Sequence, residues 1–406
     1  VYAYVSRGIL HRRMALDGRT SLFDRHQVED MRRGGRGATN GELRTVLATA
    51  ITRVAEGSLV VRGYDLVRLI ETGAGFEAVA DLIWEANNAE RWNVSSAGLS
   101  GSTEIATAMP ILDRFRIAVA TAAAADPLRD DLSPAVVRRT APRLINAMVD
   151  TLPLVDGSQS GSPGGTDDLD VLDGSSGTTD GPPMVVARRL WPCLTAQSPN
   201  RARLRALDTA LALLADHGLA ASTFAVRVAA SVRANPYAAV GAGLGALDGP
   251  LHGAASGAVH RALATVADGG AVEALLGNHG PTPSSIPGFG HTVYRSADPR
   301  FAALYHAVER AWPDDARREV LDQYRETIGT RTEAAANVDL GLGLLTWMAD
   351  MTSDAGEAIF AVARIAGWLG HAMEEYRERP LRLRPRGHYV GPLPIEQHTR
   401  GVDAVI

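Results

Sequence analysis

Apolar positions recur at helical spacing through most of the second half of the chain. Arg203 to His217, Ala255 to Ala267, Phe301 to Ala311, Val338 to Met348 and Gly356 to Glu375 each place apolar residues three and four apart. The same alternation predicts helical runs over Glu42 to Ala55 and Ala74 to Ala86. Alternating β-branched runs are few, so the fold class expected is mostly α. No Gly-x-Gly-x-x-Gly follows a convincing strand, which speaks against a Rossmann dinucleotide site.

Two stretches break this pattern. Residues 155–183 are rich in Gly, Ser, Asp, Thr and Pro, with six aspartates, and predict a disordered surface loop. Residues 1–37 carry eight arginines against four acids, a surplus of four positive charges. Val1 to Arg13 and Phe23 to Arg33 read as short helices, Asp24 as an N-cap, and Asp17-Gly18 as a hairpin turn. This segment resembles the back half of a winged helix-turn-helix of the MerR or excisionase type. The chain opens on Val rather than Met, which fits a longer protein. A DNA contact through residues 1–37 is therefore one expectation, and a basic appendage without a DNA site the other.

Composition narrows the chemistry. A chain of 406 residues has room for two or three domains. The formal charge of −5 argues against affinity of the whole protein for nucleic acid. No apolar run reaches the roughly 18 residues of a membrane span, and no signal-peptide pattern occurs. The single cysteine, Cys193, excludes an intrachain disulfide and a multi-cysteine zinc site, and fits a reducing cytoplasm. All 41 basic Lys/Arg residues are arginine. A Schiff-base lysine and a phosphate-loop lysine are thereby excluded, and anion binding must rest on guanidinium groups.

Three polar islands stand in the apolar second half: Gly249-Pro250-Leu251-His252-Gly253, Pro287-Gly288-Phe289-Gly290-His291 and Asn337-Val338-Asp339. His252 precedes an alanine-rich helix, whose positive end favours neutral imidazole. Amides freed by the Pro287–Gly290 turn can cradle a nucleotide or pantetheine arm. Arg300 follows Asp298-Pro299 and offers a carboxylate partner, and Arg364 sits on an otherwise apolar helix, where burial demands an anion. Two imidazoles and a carboxylate meeting at one cleft suit proton abstraction beside a carbonyl.

These motifs, in this order, resemble the citrate synthase family. Arg62-Gly63-Tyr64-Asp65 and Phe76-Glu77-Ala78-Val79-Ala80 match its N-terminal markers. Asp216-His217, Gly249 to Gly253, Pro287 to Arg300, Asn337 to Asp339, Ala363 to Trp368 and Arg384-Pro385-Arg386 follow. The resemblance spans roughly residues 40–400 apart from the low-complexity loop. It implies an acyltransferase of the tricarboxylic acid cycle that condenses acetyl-CoA with oxaloacetate and water to give citrate and CoA. Asp339 would be the base, His252 the enol donor and His291 the ketone donor. His217, Arg300 and Arg364 would hold the oxaloacetate, with Arg384 reaching in from the partner of a homodimer. Pro287, Gly288, Phe289 and Gly290 would border the acyl-CoA. No permanently bound cofactor, metal or membrane is implied, and the compartment expected is the cytoplasm.

The family architecture implies a large helical domain from 40–255 and 347–406 and a small helical domain over 256–346. Several positions depart from the pattern. The family commonly has Glu after the first histidine and Asn two residues later, where Gly218 and Ala220 stand. The glycine pair after the second histidine is Gly253-Ala254, the usual nearby Asn is Ser256, and Thr292 replaces a common arginine. These changes leave a propionyl-CoA user making 2-methylcitrate as an alternative within the same chemistry. A DNA-binding regulator with a synthase-like sensing domain and a catalytically dead paralogue are the other readings.

Overall fold

The computed structural model describes residues 12–14, 21–23, 46–86, 92, 109–156, 184–249, 252–271, 286–330 and 333–385. The chain divides into two units, Val1–Thr49 and Ala50–Ile406.

The first unit contains β1 (Arg12–Met14) and β2 (Ser21–Phe23), antiparallel, with Arg12 opposite Phe23 and Met14 opposite Ser21. That register is centred on residues 17 and 18, the Asp-Gly pair expected to reverse the chain. Arg12, Arg13 and Phe23, expected at helix ends, are strand residues instead. Antiparallel pairing of these residues overrides a short helix, and residues 15–20 between them lie outside the described residues. The rest of the two expected helices and the expected Asp24 cap lie outside the described residues, and nothing among the described ones supports the expected DNA contact.

The second unit opens with a three-stranded antiparallel sheet: β3 (Thr52–Ala55), β4 (Ser58–Val61) and β5 (Tyr64–Asp65). Here the helical expectation for Glu42 to Ala55 fails over all its described residues: 46–51 is not helical, and Thr52–Ala55 pairs with Ser58–Val61. The chain reverses at Glu56-Gly57, with Gly57 at φ +65, and again at Arg62-Gly63, with φ of 48 and 87. Left-handed backbone at both turns suits tight hairpins. Arg62 occupies this costly region while its guanidinium donates to Ile83 O from Nε (3.3 Å) and Nη2 (3.1 Å). The Arg-Gly-Tyr-Asp marker is thus structural: Arg62 ties the sheet to the helix over Phe76–Trp84, and Asp65 caps the helix over Leu66–Glu71 by accepting Arg68 N–H at 3.0 Å.

Thirteen helices follow among the described residues. They are α1 (Leu66–Glu71), α2 (Phe76–Trp84), α3 (Ile111–Ala125), α4 (Pro134–Val149), α5 (Val185–Leu194), α6 (Arg201–Leu214) and α7 (Ala221–Ser231), then α8 (Pro236–Leu247), α9 (Ala255–Ala267), α10 (Pro299–Ala311), α11 (Arg317–Gly329), α12 (Val338–Met348) and α13 (Ala355–Tyr376). The fold is mostly α, as expected. The bounds of α9 and α12 coincide with those read from periodicity. Of the low-complexity loop, residues 157–183 lie outside the described residues.

The 22-residue α13 is buried on nearly every side, so it runs through the interior with α2, α3, α4, α6, α7 and α8 packed around it. Among the described residues no helix is long and apolar enough to cross a membrane. Its glycines set how closely neighbours approach. A Cβ on Gly367 would stand 2.7 Å from Ala215 O and 2.2 Å from Asp216 Oδ1. The bare backbone instead lets Gly367 N–H donate to Ala215 O at 2.9 Å. That docks the end of α6 against α13 one turn from Arg364. Helices α9 and α11 pack on each other, α9 and α10 pack on α12, and α10 also packs on α6. The loops leading into α7, α9, α10 and α12 bring the polar islands together.

Candidate active site

His217 lies three residues beyond the end of α6, because the chain leaves the helix at Ala215 and turns at Gly218, φ +63. Asp216 anchors this turn. Its Oδ2 accepts Gly218 N–H at 3.0 Å and lies 3.4 Å from His371 Nε2 in α13. Arg227 Nη1 lies 3.2 Å from His371 Nδ1, and a guanidinium only donates. His371 therefore accepts at Nδ1 and donates Nε2–H to Asp216. Burial pushes the Asp216 carboxyl up, but His371 and Arg364 outweigh it and leave it below the ordinary range.

The His291 ring lies against His217, edge to face, with centroids 5.1 Å apart. Tyr294 joins both: its ring stacks on His291 at 4.7 Å and its hydroxyl is 3.1 Å from His217 Nε2. His291 Nδ1 accepts the backbone N–H groups of Val293 (3.0 Å) and Tyr294 (3.1 Å). With Nδ1 an acceptor, the imidazole proton sits on Nε2, the only ring nitrogen left to donate. Burial and Arg300 lower the pKa of His291, against Asp298 and Glu56. His217 is driven far below the ordinary histidine range by burial, then by Arg300, Arg364 and His291. Both rings are neutral at physiological pH.

His252 stands in the turn before α9, rather than in its first helical turn. Its neighbours Pro250 and Leu251 lie outside the described residues. Ser222 Oγ, in the first turn of α7, is 2.8 Å from His252 Nε2 and receives Trp368 Nε1–H at 3.3 Å. The serine hydroxyl keeps its own proton to donate to Nε2, an arrangement that would leave the imidazole proton on Nδ1. The His252 pKa falls to about 4, by burial first and then by Arg364. The neutral ring expected from a helix terminus is present, with desolvation as its main cause.

Asn337 is the N-cap of α12, and its Oδ1 accepts Asp339 N–H at 3.0 Å. Burial raises the Asp339 carboxyl to about 6, opposed by Arg300 and Arg364 and assisted by Asp298. Arg300 is buried and held by Asp298 through Nε (3.0 Å) and Nη2 (2.8 Å). Asp298 Oδ2 also accepts Val338 N–H at 3.1 Å, tying Arg300 to the start of α12.

Arg364 donates Nε–H to Leu214 O at 2.8 Å and lies over the Phe360 ring at 4.4 Å. Among the described residues no carboxylate stands within ion-pair distance of it. Burial pulls its pKa down to about 10, with Asp216 and Asp339 acting against that. Its charge acts on His217, His252 and Asp339 alike. Arg384 is exposed beyond α13, and no hydrogen bond or ion pair joins it to these residues. Arg382, two residues earlier, is pinned by buried Glu375 at 2.8 and 2.6 Å.

The Pro287–Gly290 turn lies beside α12. Phe289 N–H donates to Ile286 O (3.1 Å) and Gly290 N–H to Ala335 O (2.8 Å), so those two amides are taken within the fold. Gly288, at φ +81, packs so closely that a Cβ would stand 2.9 Å from Leu340 Cβ. Of the departures, Gly218 sits at φ +63, and a Cβ there would touch Val54 Cγ2 at 3.4 Å. Ala220 is the N-cap of α7 and provides no side-chain cap, Ser256 is buried, and Thr292 is exposed.

Sequence reading passed over Ser222, Tyr294 and Asp298 as partners of this site. Each is an ordinary residue type whose partner lies on another element or across a turn, and nothing in one sequence marks such a pairing. Among the described residues no group of three or more His, Cys, Asp or Glu could hold a metal ion.

Neutral imidazoles beside a raised carboxyl, with buried guanidinium groups between them, define a site for acid–base chemistry on an anionic substrate. The model of the citrate synthase C-terminal domain matches residues 42–386, and the chain belongs to the citrate synthase family. It is similar to citrate synthase 2 of Bacillus subtilis, 27% identical over 385 residues, covering 89% of this chain and 99% of that one. It is also similar to the 2-methylcitrate synthase of Mycobacterium tuberculosis, 28% identical over 361 residues, covering 84% and 88%. The fold matches the citrate synthase of Thermoplasma acidophilum, solved as a ternary complex with carboxymethyl coenzyme A and oxaloacetate. That match has a TM-score of 0.67 at 21% identity and covers 87% of this chain and 95% of that one. The chain is thus an enzyme of a condensing family.

Proposed function

We propose that the protein condenses acetyl-CoA with oxaloacetate and releases citrate and CoA. The observation that carries this reading is the pairing of opposite shifts at one cleft. Burial holds His217, His252 and His291 neutral and raises Asp339 to about 6. A carboxylate poised near working pH is suited to take a weakly acidic proton, and neutral imidazoles are suited to donate to developing oxyanions.

In this reading Asp339 removes a proton from the acetyl methyl while His252 Nδ1–H donates to the thioester oxygen. The enol carbon then attacks the ketone carbon of oxaloacetate, and His291 Nε2–H supplies the proton that the new alkoxide requires. Water cleaves the thioester to give citrate and CoA. Arg364, the free Nη1 of Arg300 and His217 hold the oxo-acid. Buried Arg364, with no carboxylate against it among the described residues, is suited to a dianion. The acyl-CoA lies along the Pro287–Gly290 turn, contacting groups other than the Phe289 and Gly290 amides. Arg384 acts across a homodimer, and the expected compartment is the cytoplasm. The 256–346 segment forms the small domain that closes over the cleft.

Propionyl-CoA, giving 2-methylcitrate, is the second reading, favoured by similarity of nearly equal extent to relatives of both kinds. Free-thiol release with oxaloacetate and either acyl-CoA decides between them. The larger kcat/KM identifies the substrate, and release with neither overturns the reading. Sedimentation of wild type and Arg384→Ala tests the dimer: R384A should stay dimeric and lose oxo-acid affinity.

A further inference from the structure

Four consecutive backbone amides follow His291, and all four are engaged. Val293 and Tyr294 donate to His291 Nδ1. Arg295 and Ser296 donate to one carboxylate, that of Glu56, at the tip of the β3–β4 hairpin. Arg295 N–H lies 2.9 Å from Oε2 and 3.1 Å from Oε1, Ser296 N–H 2.9 Å from Oε1, and Ser296 Oγ–H 2.6 Å from Oε1. Residues 56 and 295 are far apart in sequence, so this is a tertiary contact.

We propose that Glu56 is a positioning residue for His291: by fixing the Arg295–Ser296 backbone it holds the preceding turn, and with it the imidazole Nε2–H that faces the oxo-acid. The proposal rests on the reading of His291 as ketone donor. The local geometry favours it. A turn of four amides has few ways to point two of them at the ring and two at a carboxylate, so fixing one pair constrains the other. Glu56 is exposed and outside the core, which leaves this contact as its evident function. Its carboxyl is held at about 2, first by the Ser296 hydroxyl and then by the Arg295 and Ser296 amides, so it accepts these bonds throughout the working pH range. Misplacing a reacting group by about 1 Å can cost on the order of 10²-fold in rate.

The test is E56A and E56Q in the full chain, read by the titration of His291 in histidine-labelled protein. The resonance is assigned by its loss in H291Q. The charged and titratable groups facing His291 are Glu56, Asp298, Arg300, His217 and Tyr294. Removing the Glu56 charge alone would lower the His291 pKa. Releasing the turn would raise it, because Nδ1 loses the two N–H donors that favour the neutral ring. E56A should therefore raise the pKa and cut kcat/KM for oxaloacetate about 10- to 100-fold. E56Q, which keeps one acceptor oxygen, should do the same to a smaller extent. An unchanged or lowered His291 pKa in the folded variants overturns the proposal. If wild type has no turnover, the synthase reading fails, and the His291 titration still decides the role of Glu56.

Discussion

Asn337 accepts the N–H of Asp339 at 3.0 Å while its own side-chain amide donates to Gly290 O at 2.8 Å. The candidate base and the residue just ahead of His291 therefore share one anchor. Asn337 N–H also donates to Gly288 O at 2.9 Å, so two bonds from this one residue bind the turn to α12. Replacing Asn337 by Ala should cost about 0.5–2 kcal/mol of stability, the usual loss for an N-cap. N337D keeps the cap acceptor but loses the donor to Gly290 O. It should recover most of the melting temperature and little of kcat, and equal recovery of both would separate the anchor from catalysis.

Asp339 must be ionised to act as a base. With its pKa near 6, kcat/KM should fall as pH drops through that value, while His217 and His252 stay neutral. D339N should lower kcat about 10²–10⁴-fold. The linkage runs the other way for stability. A folded pKa above the unfolded one gives a contribution that is full at low pH and lost as pH rises through about 6. D339N should accordingly melt no lower than wild type at pH 8, and a clear fall there would contradict the assigned shift.

Arg364 is a buried cation without an ion-pair partner among the described residues. Substitution by Met removes a desolvated charge as well as a binding group. R364M should leave the melting temperature unchanged or raised, since unpaired buried charge is costly. Losing one or two charge-assisted bonds at roughly 1.5–3 kcal/mol each should weaken oxo-acid binding about 10- to 10⁴-fold. Calorimetric titration with oxaloacetate checks this, and unaltered affinity would remove Arg364 from the site.

Glu77 and Asp208 form a buried acid pair remote from this chemistry. Glu77 Oε1 accepts Val186 N–H at the start of α5 (2.8 Å), and Asp208 accepts Phe76 N–H at the start of α2 (3.0 Å). Burial raises both carboxyls, and Asp208 raises Glu77 further. Stability from such groups is present at acid pH and declines as pH rises through the raised values. E77Q keeps an acceptor for Val186 and should flatten the fall in melting temperature between pH 5 and pH 8. A variant as pH-sensitive as wild type would exclude the pair as its source.

Much of this was legible along the chain. Helical periodicity gave α9 and α12 at their bounds, and the Asp17-Gly18 signal agrees with the β1–β2 register. Thr52–Ala55 was not legible as strand, because four residues fit either period and only pairing with Ser58–Val61 decides. Ser222, Tyr294 and Glu56 were silent for a related reason: each matters through one atom of a partner brought near by folding.

The sequence alone determined which chemical groups exist: arginine as the sole strong cation, one cysteine, histidines beside glycine-rich turns and an aspartate at the start of a helix. Their state was left to the tertiary structure. An Asp339 carboxyl near 6 and a His252 imidazole near 4 follow from desolvation and from Arg364. The proton position on His291 follows from the backbone N–H groups of Val293 and Tyr294, and Ser222 gives the His252 ring its hydrogen-bond partner. Electrostatic work depends on distance and on the water displaced around a charge, and both are fixed only when the chain has packed.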